Sequence, residues 1–126
     1  MESIKKYNND LSDNLIVKMT FEFALHIVQF SEVLESKRKF AIANQIIKSG
    51  TSIGANVREA QNAESKADFI HKMKIAAKEA DETEYWLLIC NHSENYPSTA
   101  QLLESILGIK KVLSKIIASS KSSINK

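Results

Sequence analysis

The sequence predicts an all-α fold, an antiparallel up-down-up-down four-helix bundle, and three observations carry that expectation. Apolar residues recur at steps of three and four along most of the 126 residues. Only three glycines and one proline interrupt them. No stretch alternates apolar and polar residues as a half-buried strand does. The length suits one domain over 1–126, large enough for a single core and short of the size at which chains divide. Residues 1–11 and 119–126 are expected as frayed ends.

The first helix is expected from Ser12 or Asp13 to about Glu35, with Ile16, Phe23, Ile27, Phe30 and Leu34 on one stripe and polar Thr20 interrupting it. Phe21, Leu25 and Val28 form a second stripe, pointing roughly opposite at about 100° per residue. One bundle core cannot cover both, so a homo-oligomer is expected, with Phe21, Leu25, Val28 and Trp86 as interface candidates.

Ser36 to Lys39 turns the chain into a second helix over about Phe40 to Asn62. Ile46, Gly50, Ile53, Val57 and Ala60 hold one helical face through two glycines, each costing roughly 1 kcal/mol relative to alanine. Such a cost suggests the close approach of a neighbouring backbone or polar group. The alternative is a break after Ser49-Gly50, with Thr51 or Ser52 capping a new helix. The continuous helix is preferred because a polar seam, Gln45, Ser49, Ser52, Asn56 and Glu59, also keeps its phase.

Ser65 is expected to cap the third helix, with Asp68 in its positive first turn. Its stripe is Phe69, Met73, Ala76, Ala80, Thr83, Leu87 and Cys90. Asn91 to Pro97 is the clear loop. Ser98 to Gln101 has capping-box form, and the fourth helix carries Leu102, Ile106, Ile109, Leu113 and Ile116 flanked by Leu103, Leu107, Val112 and Ile117.

Charge excludes little by its sum, since 17 Lys and Arg meet 15 Asp and Glu for a net +2. Its arrangement is more informative. Ser36 to Arg58 holds five basic residues and no acid; Glu79 to Glu104 holds six acids and no Lys or Arg; five lysines follow Glu104. These blocks either complement one another across helices or leave a basic surface for phosphate. The lone Cys90 cannot form an intrachain disulfide, which agrees with a reducing, cytoplasmic location. No apolar run approaches the roughly 18 residues that cross a bilayer, so no membrane partner is expected.

Enzyme motifs are wanting. A di-metal bundle needs inward Glu residues and paired Glu-x-x-His motifs, whereas this chain offers Asp68-x-x-His71, Glu22 with His26, and His92 in a loop. Glu79 and Glu82 share a helix side without a nucleophile or oxyanion donors beside them. Gly50-x-x-x-Gly54 lacks the lysine and strand of a phosphate loop. No catalytic residue, metal, cofactor or small-molecule substrate is therefore expected. If buried, the polar seam needs partners, and the third helix can supply Lys72, Glu79, Glu82 and the Tyr85 hydroxyl as an inter-helix network. The same seam could instead recognise RNA or a protein. Tyr85 and Trp86 diverge by about 100°, so only one can face the bundle.

The run from Gln45 to Ala60 (Gln-Ile-Ile-Lys-Ser-Gly-Thr-Ser-Ile-Gly-Ala-Asn-Val-Arg-Glu-Ala), with Glu64 to Lys72 and Ile75 to Leu87, closely resembles the four-helix-bundle proteins encoded in intervening sequences of large-subunit ribosomal RNA genes. Helices one and four match that family only in length and apolar pattern. Where relatives often carry arginine before Ser-Gly-Thr-Ser this chain has Lys48, which weakens any bidentate phosphate contact there. The resemblance implies a left-handed bundle assembling as a ring-shaped homopentamer without enzymatic activity or cofactor. The family is also similar to the accessory variability protein of diversity-generating retroelements, a basic bundle that works with a reverse transcriptase and RNA.

Two functions are weighed. One is association with RNA or DNA through Lys37, Arg38, Lys39, Lys48 and Arg58, repeated around an oligomer. The other is a protein-interaction scaffold without a nucleic-acid role.

Overall fold

The computed structural model describes residues 14–124. The expectation for residues 1–11 lies outside them. The described residues form four helices, α1 (Leu15–Ser36), α2 (Phe40–Gln61), α3 (Lys66–His92) and α4 (Ala100–Ile124). Each packs on its chain neighbours, and α1 meets α4 to close the ring. Contacts run in opposite senses along paired helices: Gly50 meets Ile27 while Gly54 meets Thr20, and Thr99 bonds Leu87 while Lys110 bonds Glu84. Up-down-up-down order follows from these pairs and the short connections.

Local chemistry sets the helix ends. Asn14 caps α1, its side chain accepting from the Val17 N–H at 3.3 Å. The Asn14 amide reaches an otherwise unpaired donor of the first turn; Ser12 and Asp13, where the start is expected, lie outside the described residues. At the other end Arg38 turns left-handed at φ 63°. That lets the Lys39 N–H donate back to the Leu34 carbonyl at 2.9 Å, satisfying a terminal acceptor before α2 begins. Ser65 caps α3 as expected, accepting from Asp68 N–H at 3.0 Å, while Asp68 returns the bond by accepting from Glu64 N–H at 3.2 Å.

The start of α4 departs from the expected capping box. Ser98 Oγ accepts from Ala100 N–H at 3.3 Å, and Thr99 is the residue whose carbonyl takes the first helical bond, from Leu103 N–H. The Thr99 hydroxyl does not cap; it donates to the Leu87 carbonyl at 2.7 Å, and its N–H donates to Asn91 Oδ1 at 3.2 Å. A buried threonine thus ties the head of α4 to α3. At its far end α4 continues to Ile124, past residue 119 where fraying is expected.

The core is the predicted stripes brought together. Phe23, Ile27 and Leu34 of α1 meet Ile46, Ile53 and Val57 of α2, Met73 and Leu87 of α3, and Ile106, Ile109 and Leu113 of α4, all essentially inaccessible. Phe69 is half-buried and packs against this core, while Ile70 beside it is buried outside the main cluster.

α2 runs unbroken through both glycines. A Cβ on Gly50 would fall 2.8 Å from Ile27 Cγ2, and one on Gly54 would fall 3.3 Å from the Thr20 carbonyl oxygen. Gly54 lets the α1 backbone at Thr20 approach α2, and Gly50 makes room for the Ile27 side chain, which is the benefit set against their helix cost. Thr20, the polar interruption in the α1 stripe, sits fully buried beneath Gly54, its hydroxyl donating to the Ile16 carbonyl at 2.8 Å. Among the described residues no helix is long and apolar enough to cross a membrane.

Candidate functional site

The polar seam of α2 is where sequence and structure part most clearly. Ser49 is buried, Ser52 and Asn56 are half-buried, and Gln45 and Glu59 are exposed. The expected network across to α3 is replaced by bonds inside α2. Ser49 Oγ donates to the Gln45 carbonyl at 3.0 Å, Ser52 Oγ to the Lys48 carbonyl at 2.6 Å, and Asn56 Nδ2 to the Ser52 carbonyl at 2.8 Å. Short polar side chains reach their own i−4 carbonyls, so burial leaves them satisfied without a partner helix.

The α3 residues expected in that network have other roles. Lys72 lies 3.6 Å from Asp68, one turn back on its own helix. Glu82 and Tyr85 are exposed, Tyr85 at 60%. Glu79 faces α2: burial and the neighbouring Glu82 hold its carboxyl above the usual range, while Lys78 and Lys48 pull it down. Trp86 turns inward against the core with its Nε1 buried and unpaired, and Tyr85 takes the outer position, the two rings edge-to-face at 5.4 Å. Of the named interface candidates, Trp86 therefore belongs to the bundle side of α3.

The other three interface candidates lie on the surface of α1. Leu25 is 49% and Val28 39% exposed, with Phe21 half-buried beside them. Phe21 and Val28 each line a hollow of the outer α1/α2 groove. One, of about 120 Å³, is walled by Val17, Phe21, Ala24, Gly54 and Ala55 with Arg58 at its edge. The other, of about 260 Å³, lies between Val28, Ala43 and Ile47 and the acids Glu32 and Glu35.

The basic candidates do not converge. Lys37, Arg38 and Lys39 occupy the α1/α2 turn, and the Lys39 ammonium sits over the Tyr96 ring at 4.7 Å. Lys48 is exposed halfway along α2, opposite Glu79. Arg58 lies near the far end, about 28 Å from Lys39 at 1.5 Å per residue.

Two charge clusters lie between α3 and α4, formed by residues far apart in sequence. Lys110 reaches Asp81 at 2.7 Å and Glu84 at 3.0 Å, and these bonds raise its pKa. Nearer the start of α3, Lys74 is approached by Lys121 of α4, whose side-chain contact and charge lower the pKa of Lys74. The charge blocks in the sequence contain Asp81, Glu84, Lys110 and Lys121 but not Lys74, and only the α3/α4 register brings them together. The three histidines are exposed. Among the described residues no three His, Cys, Asp or Glu side chains gather as metal ligands. Cys90 is buried, and burial pushes its thiol up to about 11.

The fold and its surfaces can be set beside known proteins. A solved structure from Bacteroides thetaiotaomicron, described as a protein of unknown function from the S23 ribosomal protein family, is similar at 42% identity with a TM-score of 0.78, over 82% of this chain and 98% of that one. Comparison with curated proteins gives no match. The family model for the 23S rRNA-intervening sequence protein matches residues 12–118, which span all of α1, α2 and α3 and most of α4. The chain therefore belongs to the 23S rRNA-intervening sequence protein family.

Proposed function

We propose that this protein is a non-enzymatic, self-assembling helical module of the cytoplasm, whose copies join through the apolar outer face of α1. The observation that carries this reading is the exposure of Leu25 and Val28 on the outer face of α1, with Phe21 and Val28 each lining a hollow between α1 and α2. Burying a side chain of that kind contributes roughly 1.5–3 kcal/mol, and several together suffice to hold an interface. The Leu25 and Val28 ridge of one copy filling the α1/α2 groove of the next is a heterologous contact, which closes into a ring when the rotation allows. Five copies is the number that the family resemblance implies.

The nucleic-acid reading of Lys37, Arg38, Lys39, Lys48 and Arg58 has less support, because those charges are spread along the bundle and two of them have local partners in Tyr96 and Glu79. Light scattering on the eluting protein tests the assembly reading. The expected mass is a multiple of 14.1 kDa, falling to 14.1 kDa in Leu25→Lys/Val28→Lys with helicity retained. A monomer mass for the unmodified chain at micromolar concentration overturns it.

A further inference from the structure

Among the described residues, the buried serines and threonines have hydrogen-bond acceptors with one exception. Thr20, Ser49 and Thr83 donate to carbonyls one turn back in their own helices, at 2.8, 3.0 and 2.7 Å, and Thr99 donates to the Leu87 carbonyl. Ser31 of α1 is only 4% exposed, and its Oγ has no partner. The Ile27 carbonyl one turn back offers it the same bond, yet the hydroxyl does not take it. Buried polar atoms left without a partner are rare in native folds. Ser31 lines the hollow of about 260 Å³ between α1 and α2. Its other polar walls are Glu32 and Glu35 of α1 and Asn44 of α2, and no lysine, arginine or histidine lines it. Among the described residues neither carboxylate has an ion-pair partner, and the Lys39 ammonium of the nearby turn sits over Tyr96. Every polar group in the hollow can accept a hydrogen bond and two of them are negative, a set that matches a cation with N–H donors. Val28, Ala43 and Ile47 add an apolar wall. That wall does nothing for a bare metal ion, and among the described residues no three His, Cys, Asp or Glu side chains gather to ligate one.

We propose that this hollow binds the ammonium head of a short alkyl amine, the nitrogen donating to Glu32, Glu35 and the Ser31 hydroxyl and the methylenes lying along Val28, Ala43 and Ile47. An ammonium has three donors, which the two carboxylates and the serine match one for one. With no bond to give up, the hydroxyl turns to accept from it at little cost. A volume of about 260 Å³ sits just under the range of drug-sized pockets, about 300–1,000 Å³, so the ligand is small. The apolar stem is held as the protein's own lysines hold theirs, methylenes on apolar surface and charge at the rim. The apolar hollow that suits a neighbouring copy lies at Phe21, about 15 Å from Ser31 along α1 at 1.5 Å per residue. The amine site therefore goes beyond the assembly reading and does not rest on it.

Methyl spectra of the isoleucine-labelled protein, titrated with n-butylammonium chloride at constant ionic strength, test the inference. The Ile47 methyl is expected to shift saturably, with a half-effect in the roughly millimolar range, while Ile109 in the core stays in place. Sodium chloride, magnesium chloride and n-butanol should each leave Ile47 unmoved, since the salts lack methylenes and the alcohol lacks charge. Glu32→Gln/Glu35→Gln should abolish saturation, and Ser31→Ala should raise the half-effect about fivefold, both at unchanged helicity. An Ile47 methyl that does not respond, one that responds equally to the salts or to butanol, or a Ser31→Ala variant that titrates like the parent overturns the inference. A fall in assembly mass on adding the amine overturns it too, because the hollow then belongs to a neighbouring copy. A saturable Ile47 shift in a protein of monomer mass supports the amine site and removes only the assembly reading, so the two fail separately.

Discussion

Gly50 of α2 lies against Ile27 of α1 so closely that a Cβ at position 50 would stand 2.8 Å from one branch of the isoleucine and 2.9 Å from the other. Ile27 is fully buried and β-branched, with no free rotamer to retreat into. The surroundings of Gly108 in α4 are quite different, with Met19 Cε at an ordinary 3.7 Å.

Gly50→Ala should therefore destabilise the protein. Overpacking costs about 1–3 kcal/mol, and the gain of about 1 kcal/mol in helix propensity offsets only part of it. Gly108→Ala meets no such obstacle and should stabilise by about 0.5–1 kcal/mol. Urea unfolding of the two variants checks both signs; a stabilised Gly50→Ala would show that α1 and α2 can separate without penalty.

Arg38 stands in the left-handed region at φ 63°, a conformation that costs a side-chain-bearing residue roughly 1 kcal/mol. Arg38→Gly should raise the melting temperature by a few degrees. An unchanged or lower melting point means that contacts of the arginine outweigh the strain.

Thr99→Val deletes the hydroxyl bond that ties the head of α4 to the Leu87 carbonyl of α3. The expected loss is about 0.5–1.5 kcal/mol, measured by chemical denaturation. Thr99→Ser keeps the donor and should lose much less.

Glu79 supplies a pH test. Its folded pKa lies above the unfolded value, so the folded state holds its proton more tightly. Its contribution to stability is present below the unfolded pKa and is lost as pH rises through the folded one. Glu79→Gln should accordingly melt higher than the parent at neutral pH, with the difference vanishing in acid below the ordinary carboxylate range. A variant that melts lower at neutral pH would mean that attraction from Lys48 and Lys78 outweighs burial.

Cys90 should be inert while the protein is folded, because burial disfavours the thiolate that reacts. Ellman's reagent at pH 8 should label it slowly in buffer and at once in denaturant. Rapid labelling of the native protein would place α3 away from its neighbours near Cys90.

The inner faces were legible because a period of three and four survives in the residues themselves: Ile46, Gly50, Ile53, Val57 and Ala60 are all buried, as their spacing indicates. The opposed α1 stripe was legible for the same reason, Leu25 and Val28 remaining outside. The polar seam was visible but its bonding was not. A serine at helical spacing looks alike whether its hydroxyl crosses to a neighbour or returns to its own carbonyl, and only the backbone geometry at Ser49, Ser52 and Asn56 decides. Thr99 was hidden because Ser98 offers the same capping chemistry one residue earlier. Lys74 and Lys121 are 47 positions apart, and their meeting depends on the register set by Lys110, which no local pattern encodes.

The ring of helices is not equally tight all round. Between α1 and the head of α4 runs an open groove of about 650 Å³, bordered by His26, Phe30 and Val33 on one side and Gln101, Leu102 and Ser105 on the other. That seam joins the two helices most distant in the chain, so forming it closes the longest loop and delivers the least packing in return. The bundle should therefore close there last and breathe there first. Amide hydrogens of α4 would exchange with solvent through excursions smaller than global unfolding, while those of α2, clasped on both sides, would wait for the whole molecule to open.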